Sequence, residues 1–322
     1  MTIALYDREQ VDRLLDYPGC IAAMRDAMRS LSEAGKTQPL RQVIRVSDMA
    51  TMGLMPGNLP AIGRFGAKLL SIAKDPARPG RSRHVGVVVA FSAETGALEC
   101  IADADAVTAI RTACATAAAT DALARHDARV LAVFGTGLQA ETHIRALSHV
   151  RDIERVLLWG RSFDTATTLA ARLSAEFSVA VEAVADGRRA AEQADIICTV
   201  SGSPEPILLG DWVRPGTHVN LVGSSFLGPV EVDSALVAAG RYIADYRPGV
   251  LAQAAELAVA RDAGIVTDDH VVGEIGEVHT GIIAGRENPG QITIYKSLGH
   301  IVQDLAAAAY VHARAISESS AA

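Results

Sequence analysis

The chain reads as an α/β protein in which a doubly wound parallel sheet is inserted into a second, α+β domain. An apolar run, Arg129-Val-Leu-Ala-Val-Phe134, breaks into Gly135-Thr136-Gly137 and opens a helical pattern, as a strand buried on both faces does when it turns into a helix. Beyond it, helical segments over 140–149, 164–177 and 187–193 alternate with strand-like segments over 155–159, 179–184, 196–200 and 218–222. Such alternation builds a parallel sheet. The last stretch, Leu298–Ile316, is Ala-rich and helical, with an apolar face that needs a partner. Docked on the first domain, it makes the alternating region an insertion rather than a tail.

At 322 residues the chain exceeds the usual size of one domain. The expected division is 1–125 plus 300–322 for one domain and 126–299 for the other, with the linker near Arg125–Ala128. In the first part Val11, Leu14, Leu15, Ile21, Met24, Met28 and Leu31 recur at helical spacing, and Pro18 marks a break between two helical pieces. Gln42–Met55, Arg64–Ile72 and His84–Phe91 are strand-like, and Glu94-Thr95-Gly96 supplies a turn, so a hairpin-rich sheet is expected. Residues 105–125 are dense in Ala and Thr and form a tightly packed helix. Tyr242–Ala244 and the segment around Gly264–Val266 are expected to add outer strands.

Composition narrows the function classes. The chain is 49% hydrophobic but only 4% aromatic, with mean hydropathy +0.21, which suits an α/β interior filled by Ala, Val, Leu and Ile. A net charge of −7 works against a nucleic-acid partner. Cys20, Cys100, Cys114 and Cys198 are widely spaced, with no CxxC pair, so buried reduced thiols are expected and no metal site is proposed. Charges follow Met1 too soon for a signal peptide, and no apolar run approaches roughly 18 residues. A cytoplasmic protein without a membrane segment is expected.

Gly135 allows a tight turn, Gly137 lets backbone N–H groups approach a pyrophosphate, and Ala140 keeps the third position small for helix–strand packing. That is a dinucleotide site. At the end of the second strand of such a unit, roughly 25 residues on, stands Gly160-Arg161-Ser162. Arg161 and Ser162 would hold a 2′-phosphate and favour NADPH over NADH; a solvent-facing loop arginine is the other reading, and Asp164 nearby would favour NAD.

Arg111, within Thr108-Ala-Ile-Arg111-Thr-Ala, is a long cation among small residues: it either snorkels to water or is held for an anion, for which a carboxylate fits the guanidinium. Lys68 lies among apolar strand neighbours. Turned inward, its ammonium loses water and donates a proton readily near neutral pH; turned outward, it guards an edge strand. Arg41 reads alone as a surface residue, and His84 as either a site histidine or a structural one. Asp304 and Ser297 either help to position a nicotinamide or cap the last helix, with the cap preferred.

In order along the chain, Gln38-Pro-Leu-Arg41, Met55-Pro56, Lys68-Leu-Leu, Glu94-Thr-Gly-Ala-Leu98, Thr108–Ala113, the glycine loop, Asn220-Leu-Val-Gly223, Glu231-Val-Asp233, Gly273-Glu-Ile-Gly276 and Ile292–Gly299 together resemble the ornithine cyclodeaminase/μ-crystallin family over nearly the whole chain. The resemblance implies an N-terminal substrate and dimerisation domain that receives the C-terminal helix, an inserted Rossmann domain, a nicotinamide cofactor, an α-imino or α-amino acid substrate, and a homodimer. By the same resemblance Arg41 and Arg111 grip the substrate carboxylate, Lys68 serves the imine, and Met55, His84 and Ser225 line the substrate. Cofactor contacts are implied at Gly135, Thr136, Gly137, Leu138, Gln139, Arg161, Ser162, Thr199, Val200, Ser201, Val222, Gly223, Ser297 and Gly299. One departure bears on the reaction: ornithine cyclodeaminases carry an aspartate where this chain has Ser225. Serine keeps a hydrogen bond but loses the charge and basicity, which disfavours cyclodeamination of a cationic substrate and tolerates a neutral cyclic imine or a second carboxylate. Ser224 and Ser225, ahead of a possible helix start, would bind such a carboxylate. The expected activity is NAD(P)H-dependent reduction of an α-imino acid, with cyclodeaminase, alanine-type dehydrogenase and a silent μ-crystallin-like NADPH-binding protein as the other readings.

Overall fold

A computed structural model describes residues 3–33, 38–74, 82–177 and 179–321. The chain opens with β1 (Ala4–Tyr6), α1 (Arg8–Leu14), α2 (Tyr17–Glu33), β2 (Gln42–Arg45), β3 (Ala50–Leu59), β4 (Arg64–Lys74), β5 (Ser82–Ser92), β6 (Leu98–Asp103) and α3 (Ala104–Leu123). The middle runs β7 (Val130–Phe134), α4 (Leu138–Leu147), β8 (Arg155–Trp159), α5 (Phe163–Glu176), β9 (Ala180–Ala183), α6 (Gly187–Gln193), β10 (Ile196–Thr199), β11 (His218–Leu221), α7 (Ser234–Ala239), β12 (Arg241–Ala244), α8 (Arg247–Gln253), α9 (Ala255–Asp262), β13 (Val271–Glu274), α10 (Ile275–His279) and β14 (Thr293–Lys296). The last helix is α11 (Ile301–Ala321).

Two compact units result: residues 1–115 with 300–322, and residues 116–299. The first division falls inside α3, earlier than the expected 125/126. Its cause lies in the polar groups of the helix's second half, which bond within the second unit. His143 Nε2 lies 3.1 Å from Thr116 Oγ1, Asn220 Nδ2 donates to Thr120 Oγ1 at 3.0 Å, and Arg286 Nε donates to the Leu123 carbonyl at 3.0 Å.

In the first unit the described strands form a sheet ordered β1-β6-β5-β4-β3-β2. Neighbours from β2 to β6 pair antiparallel and β1 joins β6 in parallel. The C-terminal helix α11 packs on α2 and on β3, β4, β5 and β6. Its close approach is written into two glycines. Gly57 and Gly66 face each other across β3 and β4; a Cβ on Gly57 would lie 2.4 Å from Ile301 Cγ2, and one on Gly66 would lie 1.9 Å from the Val89 carbonyl and 3.1 Å from Leu305. The first turns of α11 therefore rest on bare backbone. Two rows along the strands, Met55 pairs with Lys68, and period-two alternation puts both on the face that α11 covers.

The second unit is an eight-stranded parallel sheet ordered β13-β12-β14-β11-β10-β7-β8-β9. Its core joins Phe134, Leu157, Ile197, Val219, Tyr242 and Ile294. Outward from β7 the chain winds one way through β8 and β9, then crosses back to β10 and continues the other way, so the switch point lies between β7 and β10. An outer strand forms at β12, as expected near Tyr242. Gly264–Val266 forms none: Gly264 has φ +70 and closes α9, and the outermost strand begins at Val271.

Candidate active site

In the first unit, three elements converge on one carboxylate oxygen. Lys68 Nζ, from β4, lies 3.0 Å from Asp304 Oδ1, and Arg111 Nε, from α3, lies 2.9 Å from the same atom. Lys68 also donates to Thr108 Oγ1 at 2.5 Å, and Arg111 Nη1 to Gln303 Oε1 at 2.7 Å. Thr108 and Arg111 stand one turn apart on α3, and Gln303 and Asp304 lie in the first turn of α11, just after His300, so each helix offers one face to the cluster. Lys68, Arg111 and Asp304 are all buried.

The electrostatics favour an anion. Burial pushes the Lys68 ammonium down to about 8; Asp304 opposes that shift, and Arg111 and Arg41 add to it. Burial alone would raise Asp304, but Arg111 and Lys68 together outweigh it and hold the carboxyl below its ordinary value. His300 is pushed down to about 4, chiefly by burial, and is neutral at pH 7. Two cations, Lys68 and Arg111, share the Asp304 carboxylate, and Arg41 adds positive charge at Lys68 and His300. An ammonium has three donors, and Lys68 uses two of them on Asp304 and Thr108. The third has no partner among the described residues.

The second unit gathers a different set at the carboxyl edge of its strands. Gly135 has φ +146, and a Cβ there would sit 2.9 Å from the Val200 carbonyl, so only glycine lets the loop turn against the end of β10. Gly137 ends the loop as the N-cap of α4, no side chain caps that helix, and a Cβ at 137 would meet nothing within 4 Å. An open, uncapped helix start fits a pyrophosphate. The Gly135 amide bonds the Trp159 carbonyl at 2.9 Å, which sets Gly160–Ser162 beside the loop. Arg161 is exposed and makes no hydrogen bond or ion pair among the described residues. Ser162 Oγ accepts from the Thr165 amide at 3.2 Å and caps α5, so its hydroxyl is already engaged.

A buried residue to which no role had been assigned organises this edge. Glu231 accepts from Thr199 Oγ1 at 2.9 Å, from the Ser201 amide at 2.7 Å and from the Gly223 amide at 2.8 Å. Burial holds its carboxyl above the usual range despite those donors. In this way Thr199, Val200 and Ser201 are joined to Val222 and Gly223. Ser297 continues the edge, its amide on the Leu221 carbonyl at 3.0 Å, and its buried Oγ has no partner among the described residues. Asp245 accepts from the Leu298 and Gly299 amides at 2.7 and 2.8 Å and fixes that turn.

Of the substrate residues expected from the sequence, Lys68 and Arg111 come together, Met55 stands next to Lys68 on the sheet, and Arg41 is close enough to act on Lys68 and His300. The His84 side chain lies outside the described residues. Two expectations are corrected. Asp304 does not serve as a helix cap: its carboxylate turns to Lys68 and Arg111, and the Val302 amide donates instead to His300 Nδ1 at 3.3 Å. No helix starts after Ser225; residues 226–228 bend, and the next helix, α7, begins at Ser234. Ser224 is engaged elsewhere, its Oγ donating to Glu256 Oε2 at 2.8 Å. Ser225 is half-buried in that bend. A signal for the buried cations existed in the composition: of 30 basic residues only Lys36, Lys68, Lys74 and Lys296 are lysines, and the two in the described interior both pair with carboxylates.

Comparison with known proteins agrees with this layout. A Δ1-pyrroline-2-carboxylate reductase of Paracoccus denitrificans is 32% identical over 291 residues, 89% of this chain and 91% of that one. The structure of the Thermococcus litoralis Δ1-pyrroline-2-carboxylate reductase, in complex with NADH and L-proline, superposes with a TM-score of 0.93 at 27% identity, covering 98% of each chain. An iminosuccinate reductase of Paracoccus denitrificans, in complex with NAD+, gives 0.91 at 26% identity, covering 98% of this chain and 97% of that one. The profile of the ornithine cyclodeaminase/mu-crystallin family matches residues 2–319, and the chain belongs to that family.

Proposed function

We propose that this chain is an NAD(P)H-dependent reductase that converts an α-imino acid into the L-amino acid. The observation that carries the reading is the buried pairing of Lys68 and Arg111 on a single carboxylate, Asp304, with the half-buried Arg41 adding positive charge near Lys68. Arg111 and Arg41 bind the substrate carboxylate, and the unspent donor of Lys68 delivers a proton to the imine nitrogen. The reduced nicotinamide, when bound, supplies the hydride for the imine carbon. Gly135–Gln139, Thr199–Ser201, Val222, Gly223, Ser297 and Gly299 hold the dinucleotide, and Arg161 takes a 2′-phosphate, which favours NADPH. Holding the carboxylate at two points fixes the imine carbon, and such positioning is a large part of the rate.

Candidate substrates are Δ1-pyrroline-2-carboxylate, Δ1-piperideine-2-carboxylate and iminosuccinate. The test is oxidation of NADH and NADPH, followed optically, with each imino acid and with the keto acids plus ammonia. Oxidation with preformed imines supports the reading. Activity only with ammonia would make the chain an amino-acid dehydrogenase, ammonia release from ornithine a cyclodeaminase, and tight cofactor binding without turnover a binding protein.

A cytoplasmic homodimer is the accompanying proposal. Among the described residues no helix is long and apolar enough to cross a membrane. Ile44, Met52, Leu69 and Val85 share the face of the first unit's sheet that α11 leaves bare, and all are exposed. Such a patch is characteristic of a subunit interface. Leu69→Glu is expected to give monomers by light scattering.

A further inference from the structure

We propose that Asp304 is a positioning residue for the reductive step: its Oδ1 ties the Lys68 ammonium and the Arg111 guanidinium to the start of α11, setting proton donor and carboxylate clamp as one unit. The inference rests on the proposed imine reduction. It follows from how the carboxylate is spent. Oδ1 receives both cations, at 3.0 and 2.9 Å, while Oδ2 is buried and without a hydrogen-bond partner among the described residues. A carboxylate placed to cap α11 would take its amides, and one placed only to neutralise charge would have no need to share a single oxygen. The groups acting on Lys68 come from three places: Asp304 on α11, Arg111 and Thr108 on α3, and Arg41 in the segment before β2; His300, just ahead of α11, is neutral at pH 7. Asp304 is the one described anion among them. Without it, two arginines drive the proton off Lys68 and the clamp loses its anchor.

The whole protein, labelled with 13Cε-lysine, should show one resonance for each of its four lysines, with Lys68 identified by its loss in Lys68→Arg. Lys68 should titrate near 8 in the parent chain. In Asp304→Asn its midpoint should fall by about 1 to 3 pH units, with the alkaline limb of kcat/KM moving alongside and KM for the imino acid rising. Asp304→Glu, which keeps the charge but moves the oxygen, should retain the midpoint yet lose roughly tenfold or more in kcat/KM. An unmoved Lys68 midpoint in folded Asp304→Asn overturns the proposal, as does an Asp304→Glu variant with parental kcat and KM. Should Asp304→Asn not fold, the Asp304→Glu arm decides alone. If the parent chain reduces no imino acid, the functional reading fails, while the Lys68 titration still reports the pairing.

Discussion

Lys68 and Lys296 are both buried, and each meets a carboxylate from a helix, yet their surroundings have opposite balance. Lys296 Nζ, from β14, has three oxygens around it: Ser224 O at 2.5 Å, Ser224 Oγ at 2.9 Å and Glu256 Oε1 at 2.6 Å. Its charge also acts on Glu231 and Asp245, so one cation answers three carboxylates and every donor is spent. Among the described residues Lys68 has one carboxylate, two arginines acting on it and a donor to spare. Burial of a lysine is therefore not in itself the mark of a site. Excess like charge together with an unused donor is, because both remain costly until an anion or a basic nitrogen arrives.

Substitution should separate the two. Lys68→Ala is expected to lower imine reduction by about 10²- to 10⁴-fold, the usual range for a positioned acid, while NADPH affinity, read by fluorescence titration, stays as in the parent chain. Stability should change little, because Arg111 still pairs with Asp304. Normal turnover would remove Lys68 from the chemistry. Lys296→Met should do the reverse, leaving Glu256 buried without its cation at a cost of about 3–5 kcal/mol, seen as a lowered denaturant midpoint. If Lys296→Met were as stable as the parent chain and Lys68→Ala were not, the contrast would be inverted.

Much of the second unit was legible in the sequence because its signals are local. The Val130–Phe134 run, the turn at Gly135 and the alternation after it each follow from neighbouring residues, and the helix at 187–193 was placed to the residue. The first unit's site was legible only in part. Lys68 and Arg111 are cations in apolar or small-residue settings, which a local reading can notice. Asp304 sits 236 positions from Lys68, and nothing near it in sequence shows that Gly57 and Gly66 let α11 settle onto the sheet. Only that approach turns a first-turn aspartate from a cap into a bridge. Glu231 was hidden for a similar reason: its partners lie on two loops, 199–201 and 223–224, that meet only once β10 and β11 are paired.

Protonation offers a subtler way to test the same contrast. Activity should fall as pH rises through about 8, where Lys68 gives up its proton. Stability carries the opposite sign. The folded chain releases that proton near 8 and the unfolded chain near 10.5, so between those values the unfolded state holds more protons, and the Lys68 contribution to folding becomes more favourable as pH climbs. Below 8 the cost of burying the ammonium is present in full. The stability advantage of Lys68→Met over the parent chain should thus shrink from pH 8 to 10.5 in denaturant titrations, and a constant difference would argue against a buried, depressed ammonium.

The smallest effects belong to the cofactor edge, where two adjacent residues expected to act together have different amounts left to give. Arg161 is exposed and uncommitted, whereas the Ser162 hydroxyl already caps α5 through Thr165. Arg161→Ala should weaken NADPH by roughly ten- to hundredfold, the value of a hydrogen bond to a charged group, and leave NADH nearly unchanged. Ser162→Ala should cost about 1 kcal/mol of stability as a lost cap and shift the NADPH:NADH ratio little. Equal losses of both cofactors in Arg161→Ala would remove the contact with the 2′-phosphate. A larger preference change in Ser162→Ala than in Arg161→Ala would mean that the serine leaves its cap to bind the nucleotide.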